Sequence, residues 1–247
     1  MSEQKKGVSR RDFLKTGGIA AGTLVGGGLI GGLVGRNYNK DGTKQTKSNK
    51  ETKGESPSRG WMFFRNSHEF EVLSQAVERL FPEDDLGPGA IGLGVPYFID
   101  NQLAGSYGYN THDYMQGPFY KGEPTQGYQG QLNRVDIFRN GIKVMDKEAN
   151  ERHDQNFDEL DGKQMDEILT DLQKDNIDIK GVKSGTFFEL LLDSTLSGAY
   201  SDPIYNGNIG MEGWKMKNFP GNQMSYIKEI EEEFTKMEPK SLSSMQK

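Results

Sequence analysis

Few residues of this 247-residue chain are equipped for acid–base or metal chemistry. Three histidines are present: His68, His112 and His153. None belongs to an H-x-x-x-H or H-E-x-x-H pair, the spacing that sets two imidazoles on one helix face for zinc. His112-Asp113 and His153-Asp154 each place a carboxylate beside an imidazole, a pairing that can serve proton transfer or metal binding. The competing reading is a solvated polar pair at a helix end or in a loop. Glu83-Asp84-Asp85 gathers three carboxylates, but a calcium site needs more oxygens in a defined loop, and the EF-hand pattern is absent. No P-loop, no G-x-S-x-G and no credible triad occurs. The chain has no cysteine. That excludes disulfides, thiolate metal sites, iron–sulfur clusters and covalent c-type haem. Haem held by His or Met stays open, since ten Met are present, although methionines more simply fill cores.

Gly26-Gly27-Gly28-Leu29-Ile30-Gly31 satisfies the dinucleotide pattern G-x-G-x-x-G, and Glu51 follows 20 residues beyond. The chemistry needs a strand before the glycines, and an amphipathic helix and second strand after them. Here a basic segment precedes, and residues 36–60 hold almost nothing apolar. Nucleotide binding is therefore not expected from this motif.

The elements that would position functional residues read as helices. Asn66-Ser67-His68-Glu69 resembles a capping box. Phe70, Leu73, Val77, Leu80 and Phe81 then keep to one helical face until Pro82. Pro96 opens a second helix carrying Tyr97, Ile99 and Leu103. After a long loop over roughly 105–125, Tyr128, Leu132, Val135, Phe138, Ile142 and Met145 step by threes and fours. Asp161-x-x-Gln164 caps a further helix with Met165, Ile168, Leu169 and Leu172. Thr186-x-x-Glu189 is read as the cap of a nearly all-apolar helix, which belongs at a centre. A last helix is expected through Met224, Ile227, Ile230, Phe234 and Met237. No stretch shows strand alternation. The expected fold is a compact all-α domain with long ordered loops over residues 61–247, preceded by a flexible basic linker over 36–60.

The N-terminus reads as an address. Ser9-Arg10-Arg11-Asp12-Phe13-Leu14-Lys15 resembles the twin-arginine export motif at every defined position, Arg10, Arg11, Phe13 and Leu14 above all. Residues 16–35 follow without a charge, and nine of the 20 are glycine, so the stretch is only mildly apolar. The resemblance implies export of folded cargo by the twin-arginine translocase. No A-x-A-like site ends the stretch, so cleavage and retention as a membrane anchor both stand open. The charge is polarised along the chain. Residues 61–247 hold 18 basic and 31 acidic side chains, a net −13, behind a basic N-terminal arm. Such a body argues against nucleic-acid binding, while the basic linker is suited either to anionic lipid or to solvent.

The most distinctive stretch is Leu196-Ser197-Gly198-Ala199-Tyr200-Ser201-Asp202-Pro203-Ile204-Tyr205-Asn206-Gly207-Asn208, followed by Gly213-Trp214 and Phe219-Pro220-Gly221. It is dense in turn formers and aromatics. It resembles the signature of the small subunit (gamma, or subunit 3) of gluconate 2-dehydrogenase. That family shows G-x-x-x-D-P-x-Y-G-G-N, then G-W and F-P-G, and Asn206 stands where glycine is usual. Leu80-Phe81-Pro82 and Gly87-Pro88-Gly89-Ala90 also resemble it. The resemblance implies a membrane-associated complex in which a large FAD-containing subunit oxidises a sugar or sugar acid. A cytochrome c subunit with haem c often relays the electrons onward. The small subunit carries the export signal for its folded partner, binds no cofactor, and brings no catalytic residues to transfer. The expected location is the periplasm or the outer face of the cytoplasmic membrane. On this reading Tyr200, Asp202, Pro203, Tyr205, Asn208, Trp214 and Phe219 form the partner interface. Trp214 is either an interface anchor or a core residue, and its truncation separates the two. The alternative functions are a stand-alone enzyme with a site near His112 and the 105–125 loop, or an envelope-anchored binding protein.

Overall fold

The structure is a computed structural model that describes residues 59–245 apart from 121, 228 and 231–235. Arg10, Arg11, Phe13 and Leu14, the glycine motif at 26–31 and the linker up to residue 58 lie outside the described residues. Helix α1 (Ser67–Leu80) starts where the capping pattern places it, with the Asn66 side chain accepting from the backbone of Glu69 at 2.8 Å. Pro96 sits in the first turn of α2 (Val95–Ala104). Helix α4 (Gly162–Gln173) carries the reciprocal box, Asp161 accepting from Gln164 N and Gln164 returning to Asp161 N, each at 2.9 Å. The apolar faces predicted for these helices are buried: Leu73, Val77 and Leu80 on α1, Ile99 and Leu103 on α2, Ile168 and Leu172 on α4. Each such side chain stabilises the fold by roughly 1.5–3 kcal/mol relative to exposure.

Three expectations are corrected. The third helix, α3 (Arg134–His153), begins at its cap Asn133, so Tyr128 and Leu132 precede it. There the Tyr128 hydroxyl accepts from the Leu132 backbone at 3.2 Å, a local turn with the same spacing as a helical face. Helix α5 (Ser184–Tyr200) starts two residues before Thr186, which lies inside it, with Lys183 at the cap position making no side-chain capping hydrogen bond. A two-stranded antiparallel hairpin, β1 (Asp178–Ile179) with β2 (Val182–Lys183), leads into α5 and adds a small sheet to a domain that is otherwise helical.

The last expected helix is also absent from the described part of residues 224–237. Met224, Ile227 and Ile230 are instead 88%, 78% and 74% exposed. A three-and-four spacing predicts a helix only where a partner face buries it. Among the described residues no helix is long and apolar enough to cross a membrane.

Helix α5 is the hub, packing against α1, α2, α3 and α4. Phe187 at its start is fully buried edge-on to Phe138 of α3, with ring centroids 5.8 Å apart. The entry to the domain is fastened by a buried carboxylate. Asp100 of α2 is 1% exposed and accepts from the backbone N–H of Met62 at 2.6 Å and of Phe63 and Phe64 at 3.0 Å. Three donors on one carboxylate compensate its loss of water.

Candidate functional site

The signature stretch forms a knot at the C-terminal end of α5. The polypeptide leaves that helix at Ser201 and turns through Pro203–Tyr205. It turns again through Ile209–Met211 and runs into the short helix α6 (Glu212–Met216). Three of the motif residues make this possible. Asn206 and Asn208 both adopt left-handed backbone, at φ 69° and 46°, which asparagine tolerates better than other side-chain-bearing residues. Gly213 approaches so closely that a Cβ there would overlap the carbonyl oxygen of Ala199 in α5. The glycine is thus demanded by backbone-to-backbone contact.

The polar members of the signature spend their hydrogen bonds inside the knot. Asn208 is fully buried; its amide donates to Ser201 O and its oxygen accepts from Gly213 N, both at 2.8 Å. The side chain thereby staples the start of the loop to the start of α6. Asp202 is 8% exposed and caps the Pro203–Tyr205 turn through Ile204 N at 3.1 Å. It also accepts from Ser241 Oγ at 2.6 Å, Leu242 N at 2.8 Å and Asn222 Nδ2 at 2.8 Å. Burial pushes the Asp202 carboxyl up, but these four donors outweigh it and hold the group below its ordinary range.

A pH dependence follows. A lowered folded-state pKa means that ionised Asp202 stabilises the fold above its unfolded value, near 3.8. That contribution drains away as pH falls through the folded value. Asp202→Asn should therefore flatten the acid limb of stability, measured by urea denaturation between pH 3 and pH 7. Equal acid slopes in variant and wild type would contradict the assignment.

Trp214 lies inside the chain, at 5% exposure. Its indole N–H donates to Tyr200 O at 2.7 Å, and its ring meets Phe219 edge-on at 5.3 Å. Lys217 Nζ stands 3.8 Å over the Tyr200 ring, a cation–π contact. Leu93 and the Leu80-Phe81-Pro82 stretch close on the same end. Ile209 N donates to Leu93 O at 3.1 Å, and Phe81 lies edge-on to Tyr200 at 5.9 Å.

The outward side of the knot is mixed: Ile204 is 45%, Tyr205 51% and Phe219 47% exposed, beside the exposed polar residues Asn206, Lys215, Lys217 and Asn218. An open depression of about 500 Å³ beside it is lined by Phe98, Gln102, Ser197, Tyr200, Ser201, Asp202 and Tyr205. The sequence reading placed all seven interface candidates in this region, and the fold brings them together. It divides them into buried members, Asp202, Asn208 and Trp214, half-buried ones, Tyr200 and Pro203, and exposed ones, Tyr205 and Phe219.

The other candidates are dispersed. His112 is exposed, and Asp113 is engaged by Arg134 at 2.7 Å and Asn110 at 3.0 Å. His153 Nδ1 contacts Gln164 Nε2 at 3.2 Å, while Asp154 forms the left-handed C-cap of α3. In the acidic triplet, Asp84 accepts from Leu86 N at 2.8 Å in a turn.

One grouping was missed by sequence reasoning. His68, Asp146 and Asp158 converge from three separate segments. Their separations in sequence left no motif to find.

No curated protein and no solved structure is similar enough to match. The family profile described as gluconate 2-dehydrogenase subunit 3 matches residues 67–221, from the first residue of α1 to the glycine that closes the knot. With that match over more than half its length, the chain belongs to the gluconate 2-dehydrogenase subunit 3 family.

Proposed function

We propose that this chain is the non-catalytic small subunit of a membrane-associated, flavin-dependent sugar or sugar-acid dehydrogenase. It carries the export signal and supports assembly of the large flavin subunit. The observation that carries this reading is the chemistry of the signature knot. Asp202 and Asn208, its buried polar residues, are consumed by structural hydrogen bonds, and what faces outward sets Ile204, Tyr205 and Phe219 beside the polar side chains of Asn206, Lys215, Lys217 and Asn218. That is the composition of a docking surface, since exposed aromatic anchors dominate association energies. Family membership supports the same assignment. FAD then belongs to the partner subunit, and haem c, where a third subunit is present, to a cytochrome. Residues 1–15 supply the twin-arginine signal, so the folded flavin subunit crosses the membrane bound to this chain.

The test is export. Replacing Arg10 and Arg11 together with lysine should leave dye-linked dehydrogenase activity in the cytoplasmic fraction of the native host, by at least tenfold over wild type. Full activity outside the membrane with this chain retained inside would overturn the escort role.

A further inference from the structure

We propose that His68 is held as a doubly protonated imidazolium and acts as a pH-dependent clip that fastens the start of α1 to α3 and to the turn Phe157–Glu159. His68 lies in the first turn of α1, Asp146 on α3 and Asp158 in that turn. The two ring nitrogens face different carboxylates. Nε2 stands 2.9 Å from Asp146 Oδ2, and Nδ1 stands 3.5 Å from Asp158 Oδ1. The first contact is a hydrogen bond and the second an ion pair at longer range. Asp146 Oδ1 accepts from Phe157 N at 3.1 Å, which holds the turn where Asp158 can reach the ring.

This arrangement selects the protonation state. A neutral imidazole carries one N–H and one lone pair, whereas the imidazolium donates from both nitrogens. Either neutral tautomer would set one carboxylate against a lone pair. For Asp158 Oδ1 that would be costly, because the atom is shielded from solvent and no other described residue donates to it. The hydrogen bond to Asp146 is the largest influence on the ring. Burial opposes it, and the charges of Asp146, Asp158 and Glu159 add to it, so the imidazole titrates above its ordinary value of 6.5. The charges that act on His68 from α3 and from the turn are thus all carboxylates.

A switch needs a removable proton. The His68 side chain is 42% exposed, so its proton exchanges with solvent. A cation in the first turn of a helix also meets the positive end of the helix dipole, which keeps the proton from being held permanently. Because folding raises the pKa of His68, the clip's contribution to stability is complete below the unfolded value near 6.5. It is lost as pH rises through the folded value, and the first turn of α1 is then released from α3. The direction is opposite to that of Asp202, whose contribution is lost toward acid.

The test is a nuclear magnetic resonance titration of the full-length chain carrying isotope-labelled histidine, with His68→Gln assigning one of the three ring signals. The expected result is a His68 midpoint above 6.5, with both nitrogens protonated below it. Asp146→Asn should lower that midpoint. Asp158→Asn, which leaves the hydrogen bond to Asp146 in place, should lower it by less. In urea denaturation, His68→Gln should cost more stability at pH 6 than at pH 9. A wild-type midpoint at or below 6.5 would overturn the proposal. An unchanged midpoint in folded Asp158→Asn would overturn it equally, by removing the second carboxylate from the clip. So would equal stability losses at the two pH values, which would reduce His68 to a packing role.

Discussion

Trp214→Ala is expected to destabilise the isolated chain by about 3–5 kcal/mol, the range for removing a buried tryptophan. The ring fills the space between the end of α5 and Phe219. Its loss also leaves Tyr200 O without the indole donor and a cavity that the surrounding backbone can collapse into only in part. The geometry leaves little room for collapse. Gly213 is pressed against Ala199, and Gly221 runs close to both Lys240 and the Trp214 ring. Trp214→Phe should recover part of the packing while still lacking the hydrogen bond, and so fall between the two. Urea denaturation of the purified chain reads the effect. An unchanged midpoint in Trp214→Ala would show that the indole is dispensable to the fold and return it to the role of an interface anchor alone.

The second large effect concerns binding. Tyr205→Ala combined with Phe219→Ala is expected to weaken association with the flavin subunit by about 2–4 kcal/mol, roughly 30- to 1000-fold in Kd. Tyr205 makes the cleaner single test, because half of it is exposed on the turn beyond Asp202. Phe219 also packs edge-on against Trp214, so its truncation carries a small folding cost in addition. Binding measured by surface-immobilised titration, alongside thermal melting of each variant, separates the two contributions. An unaltered Kd in the double variant would remove the knot's outer face from the interface.

These two variants also show how much of the molecule is readable from its sequence. Caps and faces were legible where local chemistry and burial agree: Asn66 before α1, Pro96 in α2, Asp161 with Gln164 before α4. Periodicity misled where spacing was met by something other than a packed helix. Tyr128 and Leu132 share a turn closed by the phenol hydroxyl, and α3 waits for Asn133. Met224, Ile227 and Ile230 keep the helical spacing but are exposed. Helix α5 needed no side-chain cap, because the preceding hairpin delivers its first turn, so Thr186 and Glu189 gave a false start.

The knot was legible as a segment but not in its division of labour. Tryptophan, aspartate and asparagine in a turn-rich loop are equally consistent with contact to a partner and with internal bracing. Only the hydrogen bonds of Asp202, Asn208 and Trp214 distinguish these. The His68 cluster was invisible for a simpler reason. His68 and Asp146 are 78 residues apart, and no local spacing records a contact made by packing α1 against α3.

The proposed role, an accessory subunit bound to a flavoenzyme, is open to direct test. The most direct measurement is a pull-down of the tagged full-length chain from its native envelope in mild detergent, with an absorbance scan of the eluate. The expected result is a co-purifying protein of flavoenzyme size, a flavin spectrum, and dye-linked oxidation of a sugar or sugar acid by the eluate. A colourless single chain with no partner would contradict it.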